Sequence, residues 1–479
     1  MAGLNQKGGG GIVMQDFREN AHWVADWVAE YLDDPEKYPV LPNVRPGELI
    51  DALPRRGPES GEPMEQILAD FERQIVPALT HWNHPGFMAY FATSASGPGV
   101  LGEMLTAALN ANGMLWKTSP AVTELEHVTL AWLRQWMGLP DELFGIVYDT
   151  ASVGSMHAIA AAREMASPEF RETGAAPGLT LYCSEQAHSS IEKSAIAIGI
   201  GRRNVRKIGV DAEFRMNPEL LEQAIRADLE AKKRPFCVVA TVGTTSTTSV
   251  DPVPAISEIA RRHDLWLHVD AAYGGAAAIV PEYRHFLAGA EHADSLVVNP
   301  HKWLFTPVDL SVLYTRRPEI LRRAFSLTPE YLRTAEDPRA VNLMDYGVPL
   351  GRRFRALKLW FILRYYGRDG IARIIRNHIL WAQELARQIA SDPRFEVCAP
   401  TPMSVACFRL LGTDEENRAL LERVNATGDV FLSHTVLNGR FVIRLAIGNI
   451  GTTREHVQNA RKIVIQSIIA GQREAAETR

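Results

Sequence analysis

Residues 265–275 read LWLHVDAAYGG, and residues 296–303 read LVVNPHKW. Each stretch is a short apolar run that ends in polar side chains, which is typical of strands buried in a parallel sheet. Asp270 ends the first run, and Lys302 follows the second. Because ligands bind outside the carboxyl ends of the strands in such sheets, these two side chains are predicted to lie together at one edge.

Two more apolar runs of the same kind precede this pair along the chain. Leu179–Cys183 is followed by His188, and Phe236–Ala240 is followed by a cluster of hydroxyl groups that includes Thr245. The segments between the runs have helical periodicity, which is typical of β-α-β units. The sequence therefore predicts an α/β fold with a mostly parallel sheet, and it gathers an imidazole, hydroxyls, a carboxylate and an amine at one edge.

Composition and periodicity divide the chain into four parts. Residues 1–14 are rich in Gly and are expected to be a flexible leader. Residues 15–96 are expected to form an N-terminal helical segment whose two Trp side chains pack on another body, such as a partner subunit. The large domain is predicted for residues 97–370, and a small C-terminal α+β domain for residues 371–479.

The overall composition argues against several classes of protein. The 479 residues exceed the roughly 250–300 that one hydrophobic core serves. With 51 Lys and Arg against 56 Asp and Glu, the chain has no basic excess for nucleic acid, and no run approaches the ~18 apolar residues of a membrane span. The four cysteines form no CxxC pair, so no metal site or disulfide framework is predicted, and without a secretory leader a cytoplasmic location is expected.

The side chains at the predicted sheet edge suit one cofactor, pyridoxal phosphate. A Lys at the end of a buried strand is costly unless it is paired or neutral, and a neutral amine forms a Schiff base with an aldehyde. Asp270 would keep the pyridine nitrogen protonated, and His188 would stack on the ring. Residues 150–152 follow an apolar run and begin a helical stretch, and the start of a helix binds phosphate.

Each of these residues taken alone has an ordinary structural explanation. Asp270 would cap the next helix, Lys302 would extend its amine to solvent, and His188 would be a hydrogen-bonded histidine of the core or surface. The functional interpretation is favoured because the order of the strands aligns all of them at the same edge.

Several segments also resemble a known family. HVDAAYGG and NPHKW resemble the group II pyridoxal-phosphate decarboxylases, and HWNHPGFMAYFATSAS, SPAVTELE, AHSS and PLGRRFRALKLWF are most similar to the aromatic-L-amino-acid decarboxylases. The resemblance runs from about residue 15 to the C terminus. It implies pyridoxal-phosphate fold type I, the aspartate aminotransferase-like fold, and an obligate homodimer with active sites at the subunit interface.

The resemblance also implies roles for single residues. Lys302 would carry the cofactor, and Asp270 would pair with its ring nitrogen. Tyr331 in LTPEYLRT would donate a proton to the substrate Cα, either directly or with the help of His188. The implied cofactor-binding residues are Thr150, Ala151, Ser152, His188, Thr245, Asp270, Ala272, Asn299, His301 and Lys302. The implied substrate-binding residues are Trp82, Tyr90, Phe91, Ala92, Thr93, Asn112, Met114, His188 and Gly351, with Asn112 and Met114 contributed by the partner subunit.

The implied reaction is decarboxylation of an aromatic L-amino acid to an arylalkylamine, and Gly351 resembles the small residue of relatives that admit indoles, which favours tryptophan. An aromatic aldehyde synthase is the first alternative, although relatives of that kind tend to carry Phe at the position of Tyr331. A decarboxylase of histidine or glutamate, an aminotransferase-like enzyme and a non-enzymatic paralogue also remain open. Residues 82–93 contain no Arg or Lys, which favours an uncharged substrate side chain. Asp149 places a carboxylate near the expected phosphate.

Overall fold

The computed structural model describes residues 4–7, 11–14, 16–327, 332, 334 and 340–477. The strands are β1 (Leu4–Lys7), β2 (Gly11–Met14), β3 (Phe144–Tyr148), β4 (Leu179–Ser184), β5 (Val205–Ile208), β6 (Arg234–Thr241), β7 (Trp266–Asp270), β8 (Ser295–Val298), β9 (Ser311–Thr315), β10 (Phe395–Val397), β11 (Val405–Leu410), β12 (Ser433–Leu437) and β13 (Arg440–Ala446). Within the described ranges, every helix is too short or too polar to span a bilayer.

The helices surround the two larger of the three sheets that these strands form. They are α1 (Phe17–Asp33), α2 (Glu48–Ala52), α3 (Met64–Asp70), α4 (Gly97–Leu109), α5 (Pro120–Met137), α6 (Ala151–Ala166), α7 (Phe170–Thr173), α8 (Ser190–Ala197), α9 (Pro218–Glu230), α10 (Val253–Arg262), α11 (Pro300–Trp303), α12 (Pro318–Phe325), α13 (Ala356–Ala390), α14 (Asp414–Asn425) and α15 (Arg454–Glu477). The long helix α13 is interrupted at Gly367, where φ is 63° and ψ is 173°. Such a backbone conformation favours Gly.

The large sheet has seven strands in the order β3-β9-β8-β7-β6-β4-β5. The neighbours from β8 to β5 pair in parallel, and β9 runs antiparallel to β3 and β8. Every residue of β4, β7 and β8 is buried, because helices cover both faces of the sheet. The predicted α/β fold with a mostly parallel sheet is therefore confirmed, and the four apolar runs noted in the sequence coincide with β4, β6, β7 and β8.

The small sheet is antiparallel, in the order β10-β11-β13-β12, and packs against α13, α14 and α15. Helix α14 begins with a capping box, in which Thr413 accepts the backbone N–H of Glu416 and the Glu416 carboxylate accepts that of Thr413. The expected small α+β unit is thus present in the C-terminal part. The boundaries predicted for the four parts remain predictions.

The first fourteen residues contain more regular structure than the sequence suggests. Strands β1 and β2 pair as an antiparallel hairpin with Leu4 opposite Met14, although this segment is expected to be a flexible leader. A hairpin with four residues in each strand is marginal by itself. Gly-rich composition therefore lowers the propensity for strands here without preventing backbone pairing.

Residues 81–96 join the N-terminal segment to the small sheet. The N–H of Met88 donates to the carbonyl of Phe431 at 2.9 Å, and the N–H of Ala446 donates to the carbonyl of Met88 at 2.8 Å. Two residues earlier, the carbonyl of Gly86 accepts the N–H of Phe431 at 3.0 Å. These backbone bonds fix the path of the segment that carries Phe91 toward the large sheet.

Gly86 is required by this close approach of two backbones. A Cβ atom at position 86 would lie 2.0 Å from the carbonyl oxygen of Asp429. Gly86→Ala is therefore expected to lower stability by about 1–3 kcal/mol, because the two segments must separate. Thermal and urea unfolding of the purified variant measure the effect. Gly61→Ala, with open space around its Cβ, is the matched control, and equal melting temperatures for the two variants would contradict the assignment.

Candidate active site

A cavity of about 220 Å³ lies at the carboxyl ends of β4, β6, β7 and β8 and at the start of α6. All ten residues predicted to bind the cofactor line it, namely Thr150, Ala151, Ser152, His188, Thr245, Asp270, Ala272, Asn299, His301 and Lys302. Further lining residues are Phe91, Ser190, Thr241, Gly243 and Tyr273. Parallel strands thus deliver their C-terminal side chains to one place, as expected for this class of sheet.

The amine of Lys302 is the central group of the cavity. Burial lowers the pKa of Lys302 below its ordinary value, the nearby Asp270 carboxylate opposes this effect, and the Arg444 guanidinium reinforces it. Asp270 is 6% exposed, and its Oδ1 accepts the N–H of Ala272 at 3.1 Å. The amine is therefore easier to deprotonate than a surface lysine, and a neutral amine is a nucleophile for an aldehyde.

Two histidines offer an N–H group to the cavity. The backbone N–H of Ser190 donates to Nδ1 of His188 at 3.2 Å, and that of Leu310 donates to Nδ1 of His301 at 3.1 Å. Because a backbone N–H can only donate, Nδ1 accepts in both rings and the neutral imidazoles carry their hydrogen on Nε2. Burial lowers the pKa of His301 to about 4. It also lowers the pKa of His188, with the Lys302 charge acting in the same direction.

One end of the cavity is suited to an anion. Thr150 caps α6 by accepting the N–H of Val153 at 3.4 Å. The backbone N–H groups of Ala151 and Ser152 lie in the first turn of α6, where no carbonyl of the helix accepts them. The amide Oδ1 of Asn299 and the hydroxyl of Thr241 are buried without a hydrogen-bond partner among the described residues. Unpaired buried polar atoms are costly. They fit a polar ligand such as pyridoxal phosphate.

Asp149 lies beside this anion-binding end, and the structure explains how its charge is accommodated. Its Oδ1 accepts the N–H of Thr150 at 2.6 Å. The guanidinium of Arg355 lines the same small cleft as Asp149 but pairs with Asp309 at 2.8 Å. Burial lowers the pKa of Arg355, and this is outweighed mainly by Asp309, with a smaller contribution from Asp149. The Asp149 carboxylate is therefore held by the N–H of Thr150 and lies near a cation whose ion pair is with Asp309.

Stacked aromatic rings form one wall of the cavity. The Phe91 and Tyr273 rings lie 3.7 Å apart at 11°, and Tyr273 stacks in turn on Trp303 at 4.4 Å and 5°. Nζ of Lys302 lies 5.3 Å from the centroid of the Phe91 ring. The Tyr273 hydroxyl reaches the small domain, where it forms hydrogen bonds with the Ser404 hydroxyl and the Ile447 carbonyl. This wall is apolar, aromatic and held from both domains.

Most residues predicted to bind substrate do not line this cavity. Of that set, Phe91 and His188 do. Trp82 and Tyr90 are 38% and 50% exposed, Ala92 is buried in a separate cluster with Phe87, and Thr93 is half-buried. Trp82 and Tyr90 are exposed while the residues between His84 and Ala89 and the adjacent Phe91 and Ala92 are buried, so the segment divides its side chains between surface, core and cavity.

Asn112, Met114 and Gly351 lie on another part of the molecule. Oδ1 of Asn112 accepts the N–H of Arg352 at 2.9 Å, which places the exposed Asn112 beside Gly351. Met114 packs in a cluster with Met344. That Asn112 and Met114 enter the cavity of a partner subunit remains a prediction, as does the role of Gly351 in substrate choice. Tyr331, the expected proton donor, lies outside the described residues.

The sequence analysis missed Thr241, Ser190, Tyr273 and Arg444. Three of them could have been found from the local sequence. Ser190 and Tyr273 lie inside the quoted motifs AHSS and HVDAAYGG, and Thr241 directly follows the predicted strand Phe236–Ala240. Arg444 had none, because it belongs to β13 of the small sheet and reaches the wall of the cavity only through the packing of the two domains.

The buried histidines predict a loss of stability in acid. Burial lowers the pKa of His268, which lies in β7 and bonds Ser155 and Ser295, to about 4. Its folded pKa is below the unfolded value near 6.5, so the unfolded chain takes up the proton first and stability falls as the pH drops from about 6.5 to 4. From pH 7 to 5 this residue is expected to cost about 2 kcal/mol.

His268→Gln should therefore reduce the difference in unfolding free energy between pH 7 and pH 5, measured by urea denaturation. His22→Gln, at an exposed histidine of α1, is the control and should leave the difference unchanged. A pH dependence that is identical in both variants would show that His268 is not the cause.

Comparison with known proteins gives consistent matches over nearly the whole chain. The family model described as the pyridoxal-dependent decarboxylase conserved domain matches residues 46–411. Tyrosine decarboxylase 2 of Narcissus pseudonarcissus is 40% identical, with 94% of this chain and 93% of that protein covered. Phenylacetaldehyde synthase of Arabidopsis thaliana is also 40% identical, over 94% of this chain and 95% of that protein.

A solved structure agrees with these matches. The crystal structure of Oryza sativa TDC with PLP and tryptamine is 36% identical in sequence and superimposes with a TM-score of 0.91, covering 94% of this chain and 97% of that one.

Proposed function

The chain belongs to the family of pyridoxal-dependent decarboxylases, and from that membership we propose that it converts an aromatic L-amino acid into CO2 and the corresponding arylalkylamine. The family predicted from the sequence is thus confirmed, and so is pyridoxal 5'-phosphate as the cofactor. The observation that carries the proposal is the buried Lys302 amine beside the Asp270 carboxylate, in a cavity with an aromatic wall.

The described residues account for how the cofactor would be held. Lys302 would bind its aldehyde carbon, Asp270 would keep a proton on its ring nitrogen, and the N–H groups at the start of α6 would bind its phosphate. When bound, the cofactor supplies an electron-withdrawing ring that takes up the electron pair left on Cα when CO2 departs. The unpaired Thr241 hydroxyl could donate a hydrogen bond to the bound cofactor, whereas Oδ1 of Asn299 could only accept one from it.

The remaining residues would orient the substrate and manage protons. The ring of Phe91, supported by the stacked rings of Tyr273 and Trp303, would help to exclude water from the reacting carbon. The Nε2–H of His188 is available to hydrogen bond at the cavity, because Nδ1 is occupied by Ser190. One proton must reach Cα for every CO2 released, and Tyr331 is proposed as its donor on the family resemblance.

An aromatic substrate is favoured over a charged one. The cavity wall includes the stacked rings of Phe91 and Tyr273, and Lys302 is the one Lys or Arg among the residues that line the cavity. Glutamate would bring a second carboxylate with no lining cation to receive it. Relatives named tyrosine decarboxylase and tryptophan decarboxylase support the same class, and Gly351 favours tryptophan among the aromatic amino acids on the family resemblance.

A homodimer is also proposed, supported by an exposed apolar face. On α4, Leu101, Met104, Leu105 and Leu109 are each between 41% and 62% exposed. Their spacing places them on one side of the helix, and contiguous apolar surface of this kind marks association sites. The predicted contributions of Asn112 and Met114 require this second subunit.

A cytoplasmic location is proposed as well. All four cysteines of the chain are free, and burial raises the pKa of Cys183 to about 11 and that of Cys407 to about 12. Free cysteines are typical of proteins from a reducing compartment.

The first experiment tests Lys302. Lys302→Ala should abolish the absorbance near ~420 nm expected of a lysine-bound cofactor and lower activity on aromatic amino acids by on the order of 10⁴-fold or more. Spectra and a CO2-release assay over all aromatic amino acids measure both. Lys233→Ala, at an exposed lysine, is the control. Retention of the visible band in Lys302→Ala would refute the proposed role of this residue.

The second experiment separates decarboxylase from aldehyde synthase, the alternative that the related phenylacetaldehyde synthase keeps open. In the oxidative reaction CO2 leaves, O2 is reduced to hydrogen peroxide, water supplies the aldehyde oxygen and the nitrogen leaves as ammonia. Tyr331→Phe removes the proposed proton donor, so the ratio of amine to aldehyde should fall by about 10²-fold or more. Chromatography of both products with a peroxide assay measures it.

The exposed Tyr365 provides the control variant Tyr365→Phe, which should keep the wild-type product ratio. If the wild-type protein itself releases aldehyde and peroxide in equal amounts, the aldehyde-synthase alternative replaces the simple decarboxylase.

A further inference from the structure

Among the residues that the structure describes, Arg444 is a buried cation with no anionic partner. It lies on β13 and is 4% exposed, and in the part of the chain that the structure describes no carboxylate forms an ion pair with it. One terminal nitrogen, Nη2, is buried with no hydrogen bond, and burial lowers the pKa of the guanidinium. An unpaired buried charge is among the most costly features of a folded protein. Proteins depart from the rule that buried charges are paired mainly at functional sites.

The guanidinium connects three segments around the cavity. Nη1 donates to the Ala89 carbonyl at 2.6 Å, and Nε donates to the Ser246 carbonyl at 3.3 Å. Ala89 belongs to the segment that carries Phe91, and Ser246 follows β6. One side chain of the small sheet therefore fixes two stretches of backbone that border the cavity.

The same guanidinium lies over the ring that borders Lys302. The Cζ atom of Arg444 is 4.9 Å from the centroid of the Phe91 ring, and Nζ of Lys302 is 5.3 Å from that centroid. Arg444 is not itself a lining residue of the cavity. Both cationic side chains therefore lie close to the same aromatic ring, and an Arg over an aromatic face is attracted to it.

Four titratable groups from different elements surround Lys302, and the two that are charged act in opposite directions on its amine. Asp270 on β7 favours the ammonium form, and Arg444 on β13 favours the neutral amine. His188 after β4 and His301 on α11 have pKa values lowered by burial, so both are neutral near pH 7. Arg444 is therefore the permanent positive charge that acts against Asp270 at the amine.

We propose that Arg444 is a positioning residue for Lys302: its hydrogen bonds hold Phe91 beside the amine, and its uncompensated charge keeps that amine neutral and nucleophilic. The inference rests on the proposed function, in which Lys302 must attack an aldehyde carbon. It also explains why a costly unpaired guanidinium is retained in the interior, since a carboxylate placed beside Arg444 would cancel its effect on the amine.

The test measures the protonation of Lys302 directly in the full-length protein freed of cofactor. Brief acetylation with acetic anhydride at a series of pH values, followed by mass spectrometry of the peptide that contains Lys302, gives the pKa of this amine. Arg444→Gln removes the charge and keeps hydrogen-bond donors, so it should raise the pKa of Lys302 by about one pH unit. Arg444→Lys keeps the charge and should leave the pKa near the wild-type value.

Arg440→Gln is the matched control, because Arg440 lies on the same strand but pairs with Glu396 at 2.8 Å on the surface. It should leave the pKa of Lys302 unchanged. Circular dichroism and thermal unfolding establish that each variant is folded. A wild-type pKa of Lys302 in folded Arg444→Gln would overturn the proposal, and so would an upward shift in Arg444→Lys equal to that of Arg444→Gln.

Should Arg444→Gln fail to fold, Arg444→Lys decides alone, since an ordinary lysine pKa at position 302 despite the retained charge would overturn the proposal. The result is independent of the test of function. Failure of Lys302→Ala to lose the visible band would remove the enzymatic role, whereas the acetylation experiment reports on the amine whether or not cofactor binds.

Discussion

A lysine amine buried at the end of β8 is the constraint on which the rest of the site depends. Taking an ammonium out of water is costly, so the surroundings must either pair it or deprotonate it. Asp270 favours pairing, whereas burial and Arg444 favour deprotonation, and the balance lowers the pKa of Lys302. A lower pKa increases the fraction of neutral amine that can attack an aldehyde. The neighbouring cap of α6 and the unpaired oxygen atoms of Asn299 and Thr241 then complete a site for an aldehyde that carries a phosphate.

The sequence predicts this part of the molecule well for a physical reason. In a parallel sheet all strands end at one edge, so the residue after each apolar run can be assigned to a common site without knowing the order of the strands. Lys302, Asp270 and His188 were found in this way, and Thr150 was found from the start of a helix. The substrate side was predicted poorly, because residues 82–93 form no regular element and their side chains divide between the cavity, the core and the surface.

The small domain contributes to the site through contacts that no local pattern encodes. Tyr273 extends from the end of β7 to Ser404 and Ile447, and Arg444 extends back from β13 to Ala89 and Ser246. These contacts join residues up to 355 positions apart. Hydrophobic periodicity identifies each strand separately, but it does not reveal which side chain of an antiparallel sheet will face a loop of another domain. Arg444 could therefore be found only from the three-dimensional structure.

The two domains consequently share one wall of the cavity, which links chemistry to the way the chain folds. Phe91 contacts Tyr273 of the large domain and Arg444 of the small domain. Backbone bonds from Met88 to Phe431 and Ala446 hold the same segment on the small sheet. The Phe91 ring lies 5.3 Å from the Lys302 amine. Because Phe91 and Arg444 are both held by the small sheet, a displacement of the small domain would move the ring and the Arg444 guanidinium together. The reactivity of the lysine is thus coupled to the packing of the domains, and a decarboxylase of this design has its nucleophile tuned only when both halves are in place.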